Sequence, residues 1–275
     1  MRRVAIANAT STRGDDASRM RRARARLRRA ESARFPVRLE PVRILVVDVG
    51  GTHVKVAGSW RRTPVKIESG PKMTGAQMIK DVLEVTKGWR YDVVTIGYPG
   101  PVRAGRPLQE PHNLGGGWRR IDYRQAFGKP VRVVNDAAMQ ALGSYDGGRM
   151  LYLGLGTGLG SAIVDEGRLQ PLELAHLPYR KDETYEDCLG AAGLKRQGRK
   201  RWARHVGVVC DLLRRALLCD YIVLGGGNVN KLAKLPPHTR RGSNELAVEG
   251  GIRLWSEEAT LIAVPRLRRR RQVKR

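Results

Sequence analysis

Carboxylates are what this chain has least of for its size. Among 275 residues, 26 Asp and Glu face 52 Lys and Arg, and the net charge is +26. Such a field concentrates polyanions: nucleic acid, an anionic membrane surface or inorganic polyphosphate. General Arg enrichment, as in a high-GC or acid-adapted proteome, would leave the same mark. The excess is uneven: residues 1–43 contribute +9, residues 266–275 contribute +7, and the middle of the chain holds the remaining +10. Cysteine is also scarce. Cys188, Cys210 and Cys219 are odd in number and lack metal-ligand spacing, which argues against a disulfide framework and for free thiols in a reducing compartment. With two Phe and eight Tyr, the core is expected to be aliphatic. No apolar run nears the ~20 residues that a membrane-spanning helix needs.

What is present suits a globular protein, with 41% hydrophobic residues and length enough for two modest domains. Residues 1–40 show no sustained apolar periodicity and read as a solvated basic arm. A targeting peptide and an over-long start are the alternatives, and Asp15, Asp16 and Glu31 count against the first. Order begins at "VRILVVDVGG", followed by a second strand in "HVKVAGSW". "GAQMIKDVLEVTKGW" then places Met78, Val82, Leu83 and Val85 on one helical face. "YDVVTIGYPGPV" is a buried strand running into a turn, and "KPVRVVNDAAMQALGSYDG" is a strand that becomes a helix at Asn135–Asp136. "RMLYLGLGTGLGSAIVDEGRL" is again strand, glycine turn, strand. "ARHVGVVCDLLRRALLCDYIVLGGGNV" is a helix, a strand and a triple glycine, and "NELAVEGGIRLWSEEA" is a last helix. The alternation predicts an α/β protein. Laying "ILVVDVGGTHVKVA" over "MLYLGLGTGLGSAI" puts Gly50 on Gly156, which suggests a duplicated βββαβα-type core, although any two glycine hairpins look somewhat alike.

The chemistry is expected at the glycines. "VVDVGGTHVKVAG" is no P-loop, because valine precedes Lys55, and no dinucleotide fingerprint, because a strand follows the turn. Two glycine hairpins facing each other make a different phosphate clamp. Backbone N–H groups of Gly50, Gly51 and Thr52 would meet one end of a phosphate chain, and those of Gly156, Thr157, Gly158 and Gly160 the other. Gly225, Gly226 and Gly227 with Asn228 follow a strand and suit the nucleotide side. Asp48, closing the first strand, can hold Mg²⁺ through water or merely cap its own turn. Asn135–Asp136 can cap a helix, or Asp136 can act as a general base. Glu173, His176 and Glu186 can hold vicinal hydroxyls of a sugar; unpaired surface groups are the plain alternative. A di-metal Glu-x-x-His site would need a second copy, which is absent. Lys55 reads as an ordinary strand residue.

Taken in order, "DVGGTHVK", "GYPGPV", "HNLGGGW", "PVRVVNDA", "LGLGTGLGSA", "ELAHLPY", "KDETYEDCLGAAGLKRQGRKRW" and "DYIVLGGGN" resemble the ROK (repressor, open reading frame, kinase) sugar kinases over roughly residues 42–256. Within them the resemblance is to the polyphosphate glucokinase, or polyphosphate/ATP glucomannokinase, branch. It implies an actin-like ATPase (ribonuclease H-like) α/β fold, with two domains around an interdomain cleft. The implied boundaries are a basic extension at 1–41, a small domain at 42–135, a larger one at 136–245, and a C-terminal helix and basic tail at 246–275. It implies Asp136 as catalytic base, with Asn113, Asn135, Glu173, His176 and Glu186 on the sugar. Phosphoryl transfer to the 6-hydroxyl of glucose is then expected, with mannose as a further acceptor. The donor is polyphosphate, ATP or both, and Mg²⁺ is the cofactor. A homodimer in the cytoplasm, away from membranes, is expected from the family. Two departures matter. The zinc motif of many ROK proteins is replaced by "RKDET", so no structural zinc is expected, and the glycine of "E-x-G-H" is Ala175. Residues 1–40 are too short and irregular for the winged helix of ROK regulators, which disfavours a nucleic-acid-binding reading. "LKRQGRKRWARH" (194–205) is a candidate track for polyphosphate, or a solvated helix face.

Overall fold

The computed structural model describes residues 41–243 and 245–256 and the backbone of 260–261. The basic arm over 1–40 and the Arg-rich tail beyond 261 lie outside the described residues. Ile44–Val49 (β1) is apolar except for Asp48 and buried at every position, as a strand covered on both faces should be. It pairs antiparallel with His53–Gly58 (β2), which pairs with Arg61–Glu68 (β3). The chain crosses through the helix Gly75–Val85 (α1) to Val93–Tyr98 (β4), parallel to β1. A small hairpin, Val102–Arg103 (β5) and Arg106–Pro107 (β6), and a short helix, Tyr123–Phe127 (α2), precede Val131–Asn135 (β7), which lies parallel to β4. The first sheet therefore runs β3-β2-β1-β4-β7.

Asp136–Ser144 (α3) leads to the second sheet. Arg149–Leu155 (β8), Leu159–Asp165 (β9) and Arg168–Leu172 (β10) form an antiparallel meander. A 3-10 turn at Leu174–His176 follows, then a ribbon of Pro178–Arg180 (β11) and Glu183–Thr184 (β12). The helices Tyr185–Leu189 (α4) and Ala191–Ala216 (α5) carry the chain to Tyr221–Gly225 (β13), parallel to β8, and on to Thr239–Arg241 (β14). After the helix Leu246–Arg253 (α6), the strand Thr260–Leu261 (β15) joins the edge of β10. That edge strand aside, the order β14-β13-β8-β9-β10 repeats the first sheet: a three-strand meander, then two parallel strands. The echo between Gly50 and Gly156 is thus a structural repeat, each glycine following the first strand of its sheet.

Helix α3 is packed between the sheets. One apolar core joins Val46 and Val134 of the first sheet to Ala138, Met139 and Leu142 of α3 and to Met150, Tyr152 and Val164 of the second. Separate cores lie on the outer faces, one around Met78, Val82 and Trp118 and the other around Trp202, Val206 and Val209. Helix α6 crosses α3 at backbone contact: a methyl on Gly143 would overlap the Leu246 carbonyl oxygen, and one on Gly250 the Met139 carbonyl oxygen. Thr95 of β4 then donates to the Gly251 carbonyl at 2.7 Å, tying α6 to the first sheet.

Three local expectations change. Met78 and Val82 of α1 are buried as predicted, but Leu83 is exposed, because one residue is 100° of helix and carries it off the core face. Strand β3 was not singled out; "RRTPVKIE" is half charged and lies on a sheet edge, where Pro64 is tolerated. Helix α5 starts at Ala191, twelve residues ahead of "ARHVGVV", and bends at Gly198, whose φ of 76° is not helical.

Candidate active site

The ends of β1, β7 and β8 carry Asp48, the Asn135–Asp136 pair and the two glycine turns. Asp48 is buried on β1, and the hairpin register sets it opposite Lys55 of β2. The Lys55 ammonium lies 3.4 Å from Asp48 Oδ2. Lys55 is therefore no ordinary strand residue but the counter-ion of the first glycine turn. The signal was in the sequence: Gly50–Gly51–Thr52 closes a hairpin that pairs position 49 with 54 and 48 with 55. The turn is further latched by Ser69, whose hydroxyl donates to the Gly50 carbonyl at 2.7 Å and whose amide donates to the Thr52 carbonyl at 3.0 Å. Burial pushes the Asp48 carboxyl up, and Lys55 opposes that shift.

At the end of β7, Asn135 and Asp136 divide the work. Asn135 is the cap of α3: its Oδ1 accepts from the Ala138 amide at 3.1 Å, and its Nδ2 donates to the Gly100 carbonyl at 3.0 Å. Both ends of that amide are thus engaged within the protein. Asp136 opens the helix, its Oδ1 accepting from the Ala137 amide at 2.8 Å. Burial, and then the charge of Asp48, push its carboxyl from 3.8 up to about 7; Glu173 adds slightly and the amide bonds oppose. A carboxylate with proton affinity near neutrality is matched to accepting a proton from a hydroxyl.

The second glycine turn, between β8 and β9, is held from three sides. Asn228 Nδ2 donates to the Gly156 carbonyl at 2.8 Å, and the Ala191 amide, at the start of α5, donates to the carbonyls of Gly156 and Thr157 at 3.1 Å each. The Glu186 carboxylate accepts from the Leu159 amide at 3.0 Å and lies so close over Gly158 that any Cβ there would overlap it. Glu186 is placed by α4, whose start is fixed by a capping box between Thr184 and Asp187. Glu173 precedes the 3-10 turn that ends at His176; both are exposed. Partial desolvation raises the Glu173 carboxyl, His176 opposes this and Glu186 adds to it.

A cavity of about 290 Å³ joins the two glycine turns; its wall includes Gly51, His112, Asn113, Thr157, Gly158 and Glu186. Three residues of the expected phosphate set and two of the expected sugar set thus meet in one space. Asn135, Asp136, Glu173 and His176 are not in that wall. His112, adjacent to Asn113, was not anticipated. Gly160 lies within β9 against the Ala137 methyl, so its missing side chain serves the packing of α3. Gly225 and Gly226 likewise make room, for the Tyr152 hydroxyl and the Leu155 carbonyl, whereas Gly227 faces open space. Asp48 is a buried carboxylate of the kind that can hold Mg²⁺ through water, with Lys55 already against its Oδ2 and its charge felt by a second acid, Asp136.

The fold is the one shared by ROK sugar kinases of known structure, the actin-like ATPase fold. Among curated proteins the chain has homologues named polyphosphate glucokinase. The one from Mycobacterium tuberculosis is 27% identical over 213 residues, spanning 70% of this chain and 80% of the relative. Among solved structures, inorganic polyphosphate/ATP-glucomannokinase from Arthrobacter sp. strain KM superposes with a TM-score of 0.64 at 21% identity. That match covers 77% of this chain and 97% of that one. A ROK family transcriptional regulator, a homologue of the E. coli MLC protein, shares the fold at a TM-score of 0.61 and 16% identity, covering 78% and 79%. No family model matches the chain.

Proposed function

We propose that the protein is a glucokinase transferring a terminal phosphoryl group from inorganic polyphosphate, ATP or both to the 6-hydroxyl of glucose. The observation that carries this is Asp136. It stands where a parallel strand becomes a helix, its proton affinity is raised to about 7, and it feels the charges of Asp48 on the donor side and Glu173 on the sugar side. In this reading Asp136 takes the hydroxyl proton as the bond to phosphorus forms. Glu173, His176, Glu186 and Asn113 hold the sugar, Asn135 reaching it only with the amide proton its internal bonds leave over. The backbone amides of Gly51, Thr52, Thr157 and Gly158 hold the donor, since those of Gly50 and Gly156 donate to the carbonyls of His53, Gly154 and Gly158 instead. Asn228 serves by bracing the second turn, and Lys55 joins Asp48 beside the donor phosphates. Mg²⁺, held by Asp48 through water, would neutralise charge on those phosphates.

Closure of the lobe over 42–135 onto that over 136–245 would exclude water and suppress hydrolysis of the donor. The curated relatives favour polyphosphate as donor, and so does the basic face of α5. Lys195, Arg199, Lys200, Arg201 and Arg204 are exposed around that helix, and Arg199 Nε reaches the Lys231 carbonyl at 2.9 Å, placing Arg199 beside the turn after Gly227. A homodimer, a cytoplasmic location and use of mannose rest on kinship alone. The competing reading is a sugar-responsive regulator or nucleic-acid binder using the Arg-rich ends. A coupled assay with glucose and either ATP or long-chain polyphosphate separates the two. Glucose 6-phosphate should form with at least one donor, and none with either would sink the kinase.

A further inference from the structure

The first lobe holds another cavity, which the kinase reading leaves unused. Its volume is about 350 Å³, it lies beside the edge strand β7, and four arginines line it: Arg106, Arg119, Arg120 and Arg124. Among the described residues, none of their guanidinium groups makes an ion pair. The one carboxylate in the wall, Asp122, is committed as the cap of α2, accepting from the Gln125 amide at 3.0 Å. Four cations against that one carboxylate leave an excess of three positive charges around one concavity, which a bound anion would offset. Guanidinium forks match phosphate oxygens in pairs. The rest of the wall includes Tyr123 and Val133, which suits a ligand with an uncharged body or flank.

We propose that this cavity is a second anion site, taking a phosphate ester or phosphoanhydride with at least two negative charges. The site is joined to the candidate active site by one segment of chain. Glu110 accepts from the amides of Trp118 at 2.9 Å and Arg119 at 3.3 Å, clasping the loop between them. That loop presents His112 and Asn113 to the catalytic cavity, and its end presents Arg119 and Arg120 to this one. An anion drawn onto Arg119 and Arg120 therefore steadies the loop that carries Asn113. This consequence rests on the kinase reading; the binding itself does not.

Two sources share the chemistry, a polyphosphate chain and a sugar phosphate. Calorimetric titration of the full chain with tripolyphosphate, and separately with glucose 6-phosphate, at physiological ionic strength distinguishes them. The variant is Arg120→Gln/Arg124→Gln, and inorganic phosphate is the control. The wild type should bind one more equivalent of one of these anions than the variant, while the variant melts no lower than the wild type without ligand. Equal stoichiometry and affinity in the two chains would overturn the proposal, since binding would then follow from net charge alone. Should the Gln variant fold poorly, Arg120→Lys/Arg124→Lys decides. It keeps the charge and loses the fork, so affinity at the extra site should fall about tenfold or more, and unchanged affinity would again overturn the proposal.

Discussion

Asp136 is a carboxylate held in a place that penalises its charge, which suits a base and costs stability. Asp136→Asn should lower turnover by about two to four orders of magnitude while sugar affinity stays near wild type; surviving activity in a steady-state assay would displace Asp136 from the role of base. The sign of the stability effect follows from the raised pKa. A carboxyl at about 7 when folded and 3.8 when unfolded favours the native state fully below 3.8, and that contribution is lost as pH rises through 7. The Asn variant should therefore be more stable than wild type above pH 7, by about 2 kcal/mol once solvent access to the half-buried group is allowed for. The wild-type rate at limiting glucose should climb through pH 7 to a plateau. Lys55→Met tests the opposite case. It strips the buried Asp48 of its counter-ion, so both activity and stability should fall, the latter by about 1–2 kcal/mol in thermal melts at neutral pH. Asp48 was legible as a candidate because it closes a strand beside two glycines, and Asp136 because it stands where a strand becomes a helix. Lys55 is legible only once the hairpin register is worked out, because its importance comes from a partner seven positions away across the turn.

Among the elements, the hairpins were the most legible and the helix boundaries the least. Glycines mark where each sheet turns back after β1 and β8, with Gly50 leaving room for the His53 carbonyl and Gly158 for Glu186, and the repeat followed from two such turns. Yet the glycines divide by role in a way no pattern shows. Gly158 admits a carboxylate, Gly160 and Gly225 admit neighbouring side chains, and Gly143 and Gly250 let two helices touch. Gly250→Ala should cost about 3 kcal/mol, because neither backbone can retreat from the other without moving a sheet. Chemical denaturation would show it, and a loss below about 0.5 kcal/mol would mean that α6 shifts freely on α3. The start of α5 was not placed from the sequence because Gly190, Gly193 and Gly198 interrupt the apolar periodicity; the helix holds there through packing of Trp202, whose Nε1 donates to the Leu189 carbonyl at 2.8 Å.

Over the whole molecule the dominant fact is charge. A net +26 lowers the free energy of any long polyanion near the surface, and salt screens it over about 8 Å at physiological strength. Activity with limiting long-chain polyphosphate should therefore fall more steeply with added KCl than activity with limiting ATP. Parallel salt curves would show that the basic face of α5 contributes no track. The same excess makes surface arginines common, so only those gathered around a concavity without carboxylate partners carry an argument.

By itself the sequence determined the class of fold and the identity of the glycine turns, because both show in local pattern: apolar runs of strand length, and glycines clustered between two such runs. It also narrowed the acids to a handful. Only the tertiary structure decided which of them feel one another. Asp136 owes its raised proton affinity to burial and to Asp48, eighty-eight positions away in the chain, and Glu186 owes its place over Gly158 to a capped helix from the other side of the second sheet's turn. Proton affinity and ligand geometry are properties of distance and dielectric, and those exist only once the two sheets are folded around α3.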